Sequence, residues 1–135
     1  MSVIVSDRGF AGEDWNAPIV PLVELLLGGD AVDLVNTDDP QALVPHFATL
    51  RLVRIGFPAF GDGRAFTLAR RLRTLGYLGR LRAMGPVLAD QYAMLRRVGF
   101  DEVEIPDDLA LRQPADQWAA RADWKSHHYQ ARLRA

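Results

Sequence analysis

Four charged residues occupy interior positions of four strand-like runs of this 135-residue chain. They are Asp33 in Ala31-Val32-Asp33-Leu34-Val35, Arg54 in Leu52-Val53-Arg54-Ile55, Arg82 in Leu81-Arg82-Ala83-Met84, and Glu104 in Glu102-Val103-Glu104-Ile105. Strand side chains alternate between two faces, so each charge falls on the face opposite the apolar set. In chain order the row reads minus, plus, plus, minus. An unpaired buried charge is costly, so the simplest arrangement is neighbouring ion pairs, Asp33 with Arg54 and Glu104 with Arg82. The alternative is a polar site on the face of a cup-shaped sheet.

A second candidate is Phe57-Pro58-Ala59-Phe60-Gly61-Asp62-Gly63-Arg64, which runs from a strand end into a helix start. Ligands of α/β folds bind at such places, because loop amides and helix N-termini point at them. Gly61 and Gly63 would let the backbone approach an anion, and Arg64 would add a planar charged fork. Asp62 has a structural use as well, capping the helix. With Arg82 on the next strand, Asp62, Gly63 and Arg64 form the candidate anion- or substrate-binding set. The loop is neither a Walker loop nor a Gly-x-Gly-x-x-Gly fingerprint.

Other chemistry finds little support. The chain has no cysteine, which excludes disulfides, thiolate metal sites and a thiol nucleophile. His46 has no obvious ligand partner, and the adjacent His127 and His128 do not share a helix face. No metal site and no cofactor are expected. Net charge is −1, yet residues 1–50 hold eight acids and one base, whereas residues 64–97 hold eight arginines and only Asp90 as an acid. Such asymmetry means either two oppositely charged faces, which attract each other or another subunit, or an arginine-rich oxyanion site.

The elements that position these residues follow from periodicity. Strands are expected at 31–35, 51–57, 80–84 and 102–105, and helices at 64–75 and 86–98. The first helix has an apolar stripe of Ala65, Leu68, Leu72 and Leu75 and closes at Gly76. The second is expected to align Val87, Gln91, Met94 and Val98, with Leu88 and Leu95 beside them, and to stop at Gly99. Asp39 and Pro40 start a helix to about Thr49, weakened by Pro45. Ser2 to Val5 reads as a short edge strand, Arg8 to Asn16 as turn, and Pro18 to Leu27 as a strand entry or short helix ending at Gly28-Gly29. A last helical region from Pro106 to about Arg121 is interrupted by Pro114, and 123–135 reads as a partly ordered tail.

Repeated strand–helix units predict one α/β domain over 1–135, with a mainly parallel, singly wound, half-barrel-like sheet and helices on one face. A doubly wound three-layer sheet is the alternative, but its strands would be apolar on both faces. The face left open favours a homo-oligomer. No leader-like N-terminus and no long apolar run is present, so the cytoplasm is the expected location and no membrane or nucleic-acid partner is expected.

Residues 57–101 also carry a recognisable pattern: Phe57-Pro58, Phe60, Asp62-Gly63-Arg64, Leu72-Arg73, Gly76-Tyr77, Gly79, Leu81-Arg82-Ala83, Gly85, Asp90-Gln91 and Gly99-Phe100-Asp101. It resembles an uncharacterised bacterial family encoded beside sulfite reductase and provisionally named as an oxidoreductase involved in sulfite reduction. Weaker similarity reaches Asp14-Trp15 and Tyr129-Gln130. The chain departs from the pattern at Ala65, Arg80 and Pro86. The resemblance implies an accessory protein of assimilatory sulfite reduction, with sulfite reductase or another sulfur-assimilation protein as partner and a small oxyanion as ligand. The rival classes are a small oxidoreductase or isomerase-like enzyme, with Arg54, Arg82 and Asp62 in its site, and a non-catalytic interaction subunit.

Overall fold

Seven strands share one sheet in the computed structural model, which describes residues 2–25, 28–122 and 124. They are β1 (Ser2–Ser6), β2 (Gly9–Ala11), β3 (Val20–Pro21), β4 (Ala31–Leu34), β5 (Leu52–Gly56), β6 (Arg80–Met84) and β7 (Glu102–Pro106). Their order across the sheet is β2-β1-β7-β6-β5-β4-β3. Strands β3 to β7 pair in parallel in chain order, and β1 runs antiparallel to both β7 and β2. The helices are α1 (Leu22–Leu25), α2 (Gly63–Leu75), α3 (Tyr92–Val98), α4 (Asp107–Arg112) and α5 (Ala115–Ala119). This is a mixed α/β fold on a mostly parallel sheet, and the four main strands lie within a residue or so of their expected places.

The N-terminal third differs from the expectation. Strand β1 is not an edge, because Gly9 at φ 103° turns the chain back and Gly9–Ala11 covers its outer side. What reads as turn thus contains the edge strand β2. At 18–25 both expected forms occur in succession, strand β3 and then α1. Three further elements are shorter than expected, each for a local reason. Pro40–His46 is a 3-10 helix, capped by Asp39, whose carboxylate accepts from the Gln41 amide at 3.0 Å; Pro45 supplies no amide to continue it. The stretch expected to be helical from 86 is extended up to Leu88 (φ −97°, ψ 152°), followed by a 3-10 turn at Ala89–Gln91. Helix α3 therefore takes its phase from Tyr92. Its buried stripe is Tyr92, Leu95 and Val98, and Met94 is exposed. The region after Pro106 divides into α4 and α5 at Pro114. Apart from Trp124, the tail at 123–135, with His127 and His128, lies outside the described residues.

The core joins alternate strand residues to helix residues. Val32, Leu34, Val53, Ile55, Leu81, Ala83, Val103 and Ile105 cluster with Leu68, Ala69 and Leu72 of α2 and Leu95 of α3. Within the expected α2 stripe, Ala65, Leu68 and Leu72 are buried and Leu75 is half-buried. Leu68→Ala or Leu72→Ala should lower stability by about 2–4 kcal/mol in urea melts. Arg71, on the exposed side of α2, should tolerate alanine within about 0.5 kcal/mol. Equal losses at Leu72 and Arg71 would contradict this assignment of faces.

Candidate functional site

The charged residues occupy the strand positions between the core residues, and register brings them together. Asp33 lies beside Arg54, Arg54 beside Arg82, and Arg82 beside Glu102. Glu104 stands one pair further along, opposite Met84. Arg54 holds Asp33 with a two-pronged contact at 2.6 and 2.7 Å, and reaches Glu104 at 3.1 Å. Arg82, fully buried, donates to Glu102 at 2.6 Å and to Glu104 at 2.9 Å. Both expected pairs are present, cross-linked through Glu104. Glu102 was absent from the candidate set, although it shares the alternation parity of Glu104.

A second group of acids comes from an irregular segment, 12–18, that the strand pattern does not reveal. Glu13 receives two hydrogen bonds from Arg82, at 2.5 and 3.0 Å. Asp14 receives one from Arg80 at 2.5 Å, and Arg80 also grips Glu102. The Arg51 guanidinium lies 5.3 Å over the Trp15 ring. The segment is thus a strap, tied to the charged face by salt bridges. Burial opposes the charge on Arg82, but its bonds to Glu13, Glu102 and Glu104 prevail and hold it protonated.

Those ties make the strap acid-sensitive. The hydrogen bond from Arg82 draws the Glu13 carboxyl below its ordinary 4.5, and that from Arg80 draws Asp14 below 3.8. A depressed carboxyl pKa stabilises the fold fully above its unfolded value, and that stabilisation is lost as pH falls through the folded value. Protease cleavage within 12–18 should therefore rise once pH drops below about 4, whereas a Glu13→Gln, Asp14→Asn variant should be cleaved equally fast across that range. A wild type whose cleavage shows no such rise would mean that the pairs do not hold the strap.

Asp62, Gly63 and Arg64 lie elsewhere, at the carboxyl ends of β4 and β5. Asp62 is the N-cap of α2, accepting from the Arg64 amide at 2.9 Å and the Ala65 amide at 3.4 Å. Its second oxygen accepts from the Asn36 side chain. That bond, with the amides and Arg64, lowers the Asp62 pKa. Asn36, Asp38, Asp62, Arg64, Thr67 and Arg71 line an open cavity of about 940 Å³, where Asp38 accepts from the Val35 amide at 2.9 Å. Arg64 is mostly exposed and only 3.8 Å from Asp62, and Arg71 is 3.8 Å from Asp39. Both guanidiniums can turn towards a ligand. Arg82 does not line this cavity and belongs to the charged face. Asn36 went unrecognised because its partner is 26 residues away.

Much of the motif pattern has a packing use. Arg73 donates to the Gly99 carbonyl with two nitrogens, to the carbonyls of Tyr77 and Gly79, and to Asp101. A Cβ on Gly99 would lie 2.5 Å from Arg73 Cγ, and one on Gly79 would strike the Tyr77 ring. Arg73 thus clasps the start of β6 to the start of β7, with Gly99 leaving room for its side chain and Gly79 for the Tyr77 ring.

A family model described as "Bacterial protein of unknown function (DUF934)" matches residues 31–135. The chain belongs to this family. No curated protein and no solved structure matches it. The DUF934 match takes in β4 to β7, the charged row and the cavity, whereas the strap precedes it. Among the described residues no three His, Cys, Asp or Glu side chains group as metal ligands, and no helix is long and apolar enough to cross a membrane. The family description carries no reaction and no link to sulfite reduction.

Proposed function

We propose that this DUF934 protein is a cytoplasmic accessory factor of assimilatory sulfite reduction that takes a small sulfur oxyanion into the cavity beside Arg64. The observation that supports this reading is the pairing of two loosely held guanidiniums, Arg64 and Arg71, in one cavity at the carboxyl ends of parallel strands. Asp62 also lines the cavity, but both of its oxygens are engaged, one by the α2 amides and the other by Asn36, which draws its charge away from an anion. The α2 amides of residues 64 and 65 are thereby occupied, so the arginines carry the recognition. The resemblance of residues 57–101 supplies the sulfur oxyanion and the partner reductase.

In this reading the sheet is singly wound, like half of a barrel, with helices on the core side and the charged row under the strap. A catalytic site on that row would require Glu13 to leave Arg82. The strap covers part of the face expected to seat a second copy; the homo-oligomer stays a proposal, and sedimentation velocity showing only monomer at micromolar concentration would overturn it.

Calorimetric titration of sulfite and sulfate at low ionic strength tests the anion site. Wild type is expected to bind in the millimolar range, and Arg64→Ala to bind about tenfold more weakly, the loss of one charge-assisted contact. No binding by wild type, or unchanged binding by the variant, would overturn the reading.

A further inference from the structure

Strand β5 ends in a glycine that its backbone does not need. Gly56 has no positive φ, and a Cβ built there would meet only the Leu34 carbonyl oxygen, at an ordinary 3.8 Å. Gly56 sits opposite Met84 in register, one row beyond the Arg54–Arg82 pair, on the charged face of the sheet. Its missing side chain leaves a slot of about 360 Å³, lined by Val35, Gly56, Phe57, Pro58, Met84 and Gly85, with Asn36 at one end. The lining is apolar apart from Asn36, and Val35 is 57% exposed at its rim. The charges of the neighbouring row are all engaged with one another, so they do not compete for what enters the slot.

Asn36 also lines the arginine cavity, so slot and cavity adjoin at that residue. Phe60, 54% exposed, adds an apolar wall to the cavity. We infer that the Gly56 slot is the second half of the ligand site, and that the ligand is a small organic anion whose charged group meets Arg64 and whose planar apolar group lies in the slot. This inference rests on the anion site proposed above and narrows its ligand class. The slot alone lies near the lower limit for a small-molecule pocket, suited to one ring, and the adjoining arginine cavity supplies the room for a charged group. A bare oxyanion would leave the slot wet and its apolar lining unused, whereas a ring would remove that lining from water.

The test is calorimetry on the full chain with two sulfonates of equal charge, methanesulfonate and benzenesulfonate. Wild type should bind benzenesulfonate at least roughly tenfold more tightly, the gain expected from burying about one ring edge. Gly56→Leu, which fills the slot, should abolish that preference and leave methanesulfonate affinity within about twofold. Val35→Asp, at the exposed rim, should reduce the preference without filling the slot, which keeps the test valid if Gly56→Leu folds poorly. Arg64→Ala should weaken both ligands alike. Equal affinities in wild type, or a preference untouched by both slot variants, would overturn the slot while leaving the anion site standing. Benzenesulfonate binding that is lost in Gly56→Leu but indifferent to Arg64→Ala would support the slot and overturn the anion site. Failure of wild type to bind either sulfonate would overturn both.

Discussion

Arg82→Ala is expected to lower stability by about 3–5 kcal/mol, because it takes a fully buried guanidinium away from two buried acids and leaves Glu13 without an arginine. Three arginines of the charged face, Arg54, Arg80 and Arg82, stand against five acids, Asp33, Glu102, Glu104, Glu13 and Asp14. Removing Arg82 leaves two against five. Glu102 and Glu104 are only 6% and 8% exposed, so water cannot replace the lost guanidinium. Arg80 would remain on Glu102 and Arg54 on Glu104, while Glu13 would lose both of its bonds to Arg82. Arg82→Met should recover part of the packing and little of the charge term. Arg80→Ala should cost less, since its side chain is partly exposed and Glu102 keeps Arg82. Urea melts give the free energies, and cleavage within 12–18 reports the strap. The loss should persist in about 1 M salt, where exposed pairs are screened and buried ones are not. A loss for Arg82→Ala below about 1 kcal/mol would mean that the face tolerates unpaired acids, contrary to their burial.

The parallel half of the fold was legible because its strands carry their own signal. In β4 to β7 the apolar residues alternate with the row of charges, and both depend only on the two-residue period of a strand. The pairs Asp33–Arg54 and Arg82–Glu104 followed from the same period plus the cost of burying a charge. Strand β2 was not legible: three residues are too few to show alternation, and its identity depends on the turn at Gly9. The phase of α3 was misplaced because Leu88 and Ala89 give their amides to Gln91 and Gln113 instead of to a regular helix. Of the candidate site, the Asp62 cap could be read from an acid directly before a helix. Its bond to Asn36 could not, nor could the bonds from Arg82 to Glu13, since each joins segments far apart in the chain. The slot at Gly56 was illegible for another reason. A glycine in a sequence does not say whether the backbone needs it or the space does.

Gly85 and Gly56 separate those two uses of glycine at the same end of the sheet. Gly85 follows β6 with φ 142°, a conformation that side-chain-bearing residues rarely adopt. Its amide bonds to the Glu104 carbonyl at 3.1 Å, while the Phe57 amide bonds to the Met84 carbonyl at 2.7 Å. The first ties Gly85 to β7 and the second holds the end of β5 against the end of β6, so the Gly85 loop is fixed beside Phe57. A Cβ on Gly85 would collide with the Phe57 carbonyl oxygen and lie 3.2 Å from Phe57 Cβ. Backbone cannot swing aside as a flexible side chain can, so relief would break one of the two bonds. Gly85→Ala should therefore lower stability by about 4 kcal/mol, combining backbone strain with overpacking, each about 1–3 kcal/mol. Gly56→Ala, with no strain and no clash, should change stability by less than about 1 kcal/mol, and in the stabilising direction if the entropy of the unfolded chain dominates. Both variants add one methyl to neighbouring strand ends, so the contrast isolates the close approach at Phe57 from any general effect of the site. Parallel urea melts read the two free energies directly. If Gly85→Ala cost no more than Gly56→Ala, the chain could hold Phe57 further away, and the slot they both line would not be fixed by Gly85.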